Sequence, residues 1–215
     1  MAGASLRAYS FAGPAGRLEA LWKAPGNISR GSAVVAHAHP LHGGTMHFKV
    51  VFRIARELSN AGFGVLRFNF RGVGASEGTH DGGRGERDDF RAALKEARSL
   101  SGLPQIAAGF SFGSAVALWA GAREPDVLEV VAAGVPLDRF SLAEVGRVEK
   151  PVLFVSGRDD EFGNPARLRE EVQAAFSDPE IVVVADADHF FTGRLDDLGD
   201  AVARFVARVA AEVPR

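Results

Sequence analysis

Ala107-Ala108-Gly109-Phe110-Ser111-Phe112-Gly113-Ser114-Ala115 decides how this chain is read. An apolar, strand-like run, Gln105 to Phe110, enters a serine that has glycine two places before and two places after it. An Ala-rich run with helical character, Ser114 to Ala122, leaves it. In such a G-x-S-x-G pattern a strand turns sharply into a helix. The serine then takes strained dihedrals, so its close neighbours must be small. The turn lifts the hydroxyl clear of the sheet and puts it at a helix N-terminus, where unpaired N–H groups favour developing negative charge. The same pentapeptide would serve a tight connection with an incidental serine. A buried strand before it and a helix after it favour the chemical reading. Ser114 is the alternative nucleophile, set back inside the helix.

Outward from that stretch, apolar runs alternate with helical ones. Arg17–Trp22 reads as an outer strand and Ser32–His37 as a strand buried on both faces. Thr45 is placed to cap a helix reaching about Asn60. Val65–Phe70 is the next strand, Arg71–Gly78 a turn-rich loop and Glu86–Leu100 a charged amphipathic helix. Further strands are expected at Val127–Val135, Pro151–Ser156 and Glu180–Ala185, with helices at Pro165–Phe176 and Leu195–Val213. This order predicts an α/β fold with a mostly parallel central sheet and helices on both faces. There is no repeat or linker, so residues 1–215 are read as one domain.

Composition narrows the function. The 215 residues carry a formal charge of −2, leaving no basic excess to hold a polyphosphate, and nucleic acid is not expected as a partner. With no cysteine there is no disulfide, thiolate metal site or cysteine nucleophile. Met1–Gly16 lacks a basic region followed by an apolar core, and Ile106–Ala122 is interrupted by serines and glycines. No leader and no membrane span are therefore expected, and a cytoplasmic location is. Arg71-Gly-Val-Gly74 matches neither phosphate-loop spacing, and its glycines read as turn residues.

Ligands of a parallel sheet sit outside the carboxyl ends of its strands. A serine, several acids and a histidine follow separate strands there. A serine hydroxyl needs a base within hydrogen-bond reach and a group that orients the base. His189 is the only histidine after Ser111 and stands just past a strand end. Asp160 is the chosen acid, from the turn Gly157-Arg-Asp-Asp160, with Asp159 and Asp138 in reserve. Acyl transfer also needs two oxyanion donors. The N–H of Phe112 is one. Pro40 has no N–H, which makes Leu41 the candidate for the other. His42, Leu137, Phe140, Phe162 and Phe190 are candidate substrate-binding walls.

Five ordered motifs carry a resemblance: His39-Pro-Leu41 with Gly43-Gly44, Arg71-Gly-Val-Gly-Ala-Ser76, Gly109-Phe-Ser111-Phe-Gly113, Gly157-Arg-Asp-Asp160 and Ala187-Asp-His189-Phe. Together they resemble the α/β-hydrolase superfamily, most closely the small bacterial serine esterases related to dienelactone hydrolases, from about residue 17 onward. The resemblance implies Ser111 as nucleophile, His189 as base and Asp160 as orienting acid, with no cofactor. Dienelactone hydrolases use a cysteine where Ser111 stands. The gap between the strands near Val135 and Val152, about 15 residues, is too short for a helical lid. The expected activity is a carboxylesterase acting on small or short-chain esters, as a monomer or homodimer. Two other readings compete. His37-Ala-His39-Pro-Leu-His42 has the spacing of a metal-dependent hydrolase, without the aspartate that usually precedes the third histidine. A binding module on the same fold would need no chemistry at all.

Overall fold

The computed structural model describes residues 5–27 and 29–212. Eight strands, β1 (Leu6–Gly13), β2 (Gly16–Lys23), β3 (Ser32–Ala36), β4 (Gly64–Phe68), β5 (Gln105–Phe110), β6 (Val127–Ala133), β7 (Val148–Gly157) and β8 (Phe176–Val184), form one sheet in the order β1-β2-β4-β3-β5-β6-β7-β8. The pairs from β4 to β8 are parallel, and the β1–β2 and β2–β4 pairs are antiparallel. Five helices flank it: α1 (Lys49–Asn60), α2 (Arg84–Ser101), α3 (Phe112–Arg123), α4 (Pro165–Ala175) and α5 (Leu195–Glu212).

The two-residue period of a strand sorts the core into two layers. Val34, Ala107, Val130 and Phe154 point to one face, where they meet Phe90 and Leu94 of α2, Val116 of α3 and Leu168 of α4. Val35, Ile106, Val131 and Leu153 point to the other, against Val50 and Ile54 of α1 and Val202 and Phe205 of α5. Fully burying one such side chain contributes about 1.5–3 kcal/mol. A slip of one residue in register would exchange the two layers.

Several expected boundaries move. The strand β1 has no counterpart in the sequence reading, because its residues are mostly exposed and only Phe11 is buried. Its pairing with β2 through Gly13–Gly16 is what orders it. Thr45 does not cap α1. Its carbonyl accepts the Phe48 N–H at 3.1 Å and its Oγ1 the His47 N–H, a turn of its own before the helix opens at Lys49. The strand β8 begins at Phe176, not Glu180, since the register with β7 runs back to Val148. The expected helix end at Val213 lies outside the described residues. Residues 134–147, between β6 and β7, hold only a single 3₁₀ turn at Leu142–Glu144, so no cap domain stands there.

The order of connections fixes where a site can form. From β3 the chain moves through α1 to β4 on one side. From β5 it moves through α3 to β6 on the other. The carboxyl ends of β3 and β5 therefore border the crevice where α/β folds receive ligands.

Candidate active site

Ser111 sits between β5 and α3 with φ 53° and ψ −122°, outside the regions that non-glycine residues ordinarily occupy. Its N–H donates to the Ala133 carbonyl at 2.9 Å, and its own carbonyl accepts from Ser114 N–H at 2.8 Å and Ser114 Oγ at 2.6 Å. Ser114 is thus a fully buried brace for the turn, its hydroxyl already engaged by the Ser111 carbonyl. The glycines on either side are required by space. A Cβ on Gly113 would lie 2.6 Å from the Ala36 carbonyl oxygen and 2.5 Å from that of His37. The first turn of α3 is therefore pressed directly against the end of β3.

His189 Nε2 is 2.9 Å from Ser111 Oγ, and His189 Nδ1 lies 3.0 and 2.9 Å from the two carboxylate oxygens of Asp160. A carboxylate only accepts, so Nδ1 carries the proton and the Nε2 lone pair faces the serine hydroxyl. Asp160 is buried, and its Oδ1 also accepts the N–H groups of Phe162 and Gly163 at 2.9 and 3.0 Å. Of the three candidate acids it is the one that meets the histidine. Asp159 and Asp138 are exposed, the latter with Arg139 3.4 Å away.

The imidazole is held by packing as well as by the carboxylate. Phe162, Phe110 and Phe190 surround it with ring centroids 4.7, 5.1 and 5.2 Å away. Gly134, at φ 57°, leaves it room, since a Cβ there would be 3.2 Å from His189 Cε1. The loop bearing His189 is tied by Asp188, whose Oδ1 accepts the Phe190 and Thr192 N–H groups. The Thr192 N–H above all holds that carboxyl below the usual carboxylate range.

A cavity of about 430 Å³ opens beside the serine. His42, Phe140, Phe162 and Phe190 line it, as do Phe112, Val116 and Pro136. Leu137 does not. It is 2 % exposed and packs in the core layer that holds Leu142 and Val145. A neighbour of a strand end faces core or cavity according to the turn it sits in, and sequence alone does not tell which. Sequence reasoning missed Arg87, Arg139 and Glu144, which add charge to an otherwise aromatic wall.

Leu41 is a second correction. Its side chain is 71 % exposed, it does not line the cavity, and its N–H donates to His39 Nδ1 at 3.2 Å. His39 does line the cavity, its ring 5.3 Å from that of Phe112, and its own N–H has no hydrogen-bond partner among the described residues. Phe112 is the first residue of α3, so its N–H has no partner within the helix. Two backbone donors, of His39 after β3 and Phe112 after β5, thus belong to residues that line the cavity with Ser111. Burial foremost, then His80, His42 and Arg139, keeps the His39 ring below the ordinary histidine pKa.

The three-histidine metal reading meets the same geometry and fails. His37 is fully buried, with Nδ1 2.6 Å from the Ala38 carbonyl and Nε2 accepting the Phe70 N–H at 3.0 Å. Neither nitrogen is left for a metal ion. His37 instead ties the ends of β3 and β4 together. Among the described residues no group of three or more histidine, aspartate or glutamate side chains is arranged to hold one. The Arg71–Gly78 loop is likewise structural. The Arg71 side chain donates twice to Asp89, at 2.9 and 2.7 Å, and once to the Gly85 carbonyl, while Gly72 and Gly74 take φ of 74° and 58°.

This chain is 35% identical to an alpha-beta serine hydrolase homologue from Coxiella burnetii, over 92% of its own length and 96% of the other's, with a TM-score of 0.86. It is 33% identical to XC6422 from Xanthomonas campestris, a serine hydrolase without a lid, over 98% and 97% of the two chains with a TM-score of 0.89. The chain belongs to the α/β-hydrolase family. Residues 41–145 match that family's profile, described as the alpha/beta hydrolase fold. An uncharacterized protein of Rickettsia prowazekii is 28% identical over 209 residues, 93% of this chain and 88% of that one. Here too no cap stands between β6 and β7, where residues 134–147 hold only one 3₁₀ turn. Among the described residues no helix is long and apolar enough to cross a membrane.

Proposed function

We propose that this α/β hydrolase is a carboxylesterase that cleaves small or short-chain acyl esters through an acyl-enzyme on Ser111. One observation carries the reading: Ser111 Oγ, His189 Nε2 and Nδ1, and the Asp160 carboxylate lie in an unbroken chain of contacts between 2.9 and 3.0 Å. Ser111 Oγ attacks the ester carbonyl carbon and gives its proton to His189 Nε2. Asp160 holds the imidazole in the tautomer that can accept it and stabilises the cation that forms. The carbonyl oxygen becomes an oxyanion between the N–H groups of Phe112 and His39. The C–O bond to the alcohol breaks as His189 returns the proton to the leaving oxygen. Water then repeats the sequence on the acyl-serine, releasing the acid.

No step needs a cofactor or metal ion. The small cavity and the missing cap suit short acyl groups better than long ones, and the reaction suits a soluble cytoplasmic enzyme. The test is a panel of p-nitrophenyl esters of increasing acyl length, with fluorophosphonate labelling, on wild type and Ser111→Ala. If the three residues act as a unit, Ser111→Ala lowers kcat by about 10⁶ and abolishes labelling. A residual rate within about tenfold of wild type would remove Ser111 from the mechanism.

A further inference from the structure

Among the phenylalanines of the cavity stands an arginine whose guanidinium makes no hydrogen bond among the described residues. Arg87 projects from the second turn of α2 and lines the same cavity as Ser111. Three arginines, Arg87, Arg91 and Arg123, stack on Trp119 at 5.2, 5.5 and 4.7 Å. The other two are secured. Arg91 donates to Glu124 at 2.6 Å, and Arg123 to the carbonyls of Trp119 and Val145 at 3.1 Å. The Arg87 side chain makes no hydrogen bond among the described residues, and its one ionic neighbour, Glu144, is 3.9 Å away. A guanidinium has five donors in a planar fork that matches a carboxylate.

The other cavity charges stand nearer the water. The Arg87 side chain is 29% exposed, against 61% for Glu144 and 68% for Arg139. Two cations and one carboxylate line the cavity, and Arg139 has Asp138 3.4 Å away. The leaving alcohol takes its proton from His189, so it lies on the His189–Phe190 side. The helix α2 packs on the opposite face of the sheet, in the layer of Phe90 and Leu94. The space toward Arg87 is therefore left for the acyl arm.

We propose that Arg87 determines specificity, and that the substrate is an ester whose acyl arm ends in a carboxylate: its apolar stem lies along the phenylalanines and its charged end takes the guanidinium fork. This rests on the esterase reading for what enters the cavity and names the class of ester. The enzyme would release a dicarboxylic acid and an alcohol, so a reaction that acylates an alcohol with one end of a diacid must supply the substrate.

Monophenyl adipate and phenyl hexanoate test it, having acyl chains of equal length that differ in the terminal carboxylate. Wild type should favour the adipate monoester in kcat/KM by about tenfold or more, the scale of a charged hydrogen bond. Arg87→Gln should bring that ratio close to one, Arg87→Lys should restore part of it, and Glu144→Gln should raise it. Binding of both esters to Ser111→Ala, followed by calorimetry, gives a readout without turnover. Equal binding there, or a wild-type ratio near one with phenyl hexanoate still cleaved, overturns the role of Arg87 and leaves the esterase reading standing. Tighter binding of the adipate monoester without turnover by wild type supports Arg87 and removes the esterase reading instead.

Discussion

A methyl group on Gly109 would sit 2.1 Å from the carbonyl oxygen of Gly113. Neither glycine of the serine turn tolerates a side chain without moving the backbone that carries Ser111, Gly109 because of the Gly113 carbonyl and Gly113 because of the carbonyls of Ala36 and His37. Gly109→Ala should therefore misplace the serine even where the protein folds. A displacement of about one ångström at a reacting atom costs about 100-fold in rate, so kcat/KM should fall by at least that. Gly26→Ala is the control, because a Cβ there meets nothing within 4 Å. Circular dichroism checks folding and ester kinetics check the site; an active Gly109→Ala would mean that the turn relaxes freely.

The acid is assigned by contact, and the assignment can be tested against its neighbours. Asp160→Asn keeps the shape but lets the amide favour the wrong tautomer of His189, which should cost about 10⁴ in kcat. Asp159→Asn and Asp138→Asn alter exposed side chains and should stay within about threefold of wild type, as surface changes remote from such contacts do. Comparable losses in all three would point to the charge of the rim rather than to one carboxylate.

The second oxyanion donor is a backbone group, so only proline removes it. His39 has φ −53°, which proline accepts. His39→Pro deletes the N–H and should lower kcat by about 10²–10³, while His39→Ala keeps the N–H and should remain within about tenfold of wild type. Equal losses would assign the effect to the imidazole and not to the peptide.

His37 ties acid stability to the same crevice. Burial pushes its pKa from 6.5 down to about 4. Above pH 6.5 it is neutral whether folded or not and contributes no pH dependence. Between pH 6.5 and 4 only the unfolded chain takes up the proton, so stability falls with falling pH, by about 1.4 kcal/mol per unit at most. Below pH 4 the folded chain protonates too and the loss levels off at about 3 kcal/mol. Urea unfolding of wild type and His37→Gln at pH 7, 5.5 and 4 should show the steeper decline in wild type. Parallel declines would mean that His37 titrates as an exposed histidine does.

The serine turn was legible because its rule is local: strand, small residue, serine, small residue, helix. So were β6 and the carboxyl half of β7, since a strand buried on both faces is a continuous apolar run. The strand β1 was not, because its exposed residues depend on β2 for their order. Leu41 was chosen because Pro40 lacks an N–H. In the structure the Leu41 N–H is taken by His39 Nδ1, while the N–H before the proline, that of His39, has no partner among the described residues. Asp160 could be ranked first but not separated from Asp159, because which carboxylate of an adjacent pair turns inward is decided by the Phe162 and Gly163 N–H groups. Arg87 lay hidden in a helix whose many charges read as a solvated face.

The shortness of the chain between β6 and β7 reaches beyond the shape of the cavity. With no roof to lift and lower, each catalytic cycle proceeds without a moving part above the serine. Product departs straight into bulk water, so turnover should be set by making and breaking the acyl bond and should ignore added viscosity. The same openness would let bulk water reach the proposed acyl-serine without delay, which favours hydrolysis over passing the acyl group to another alcohol.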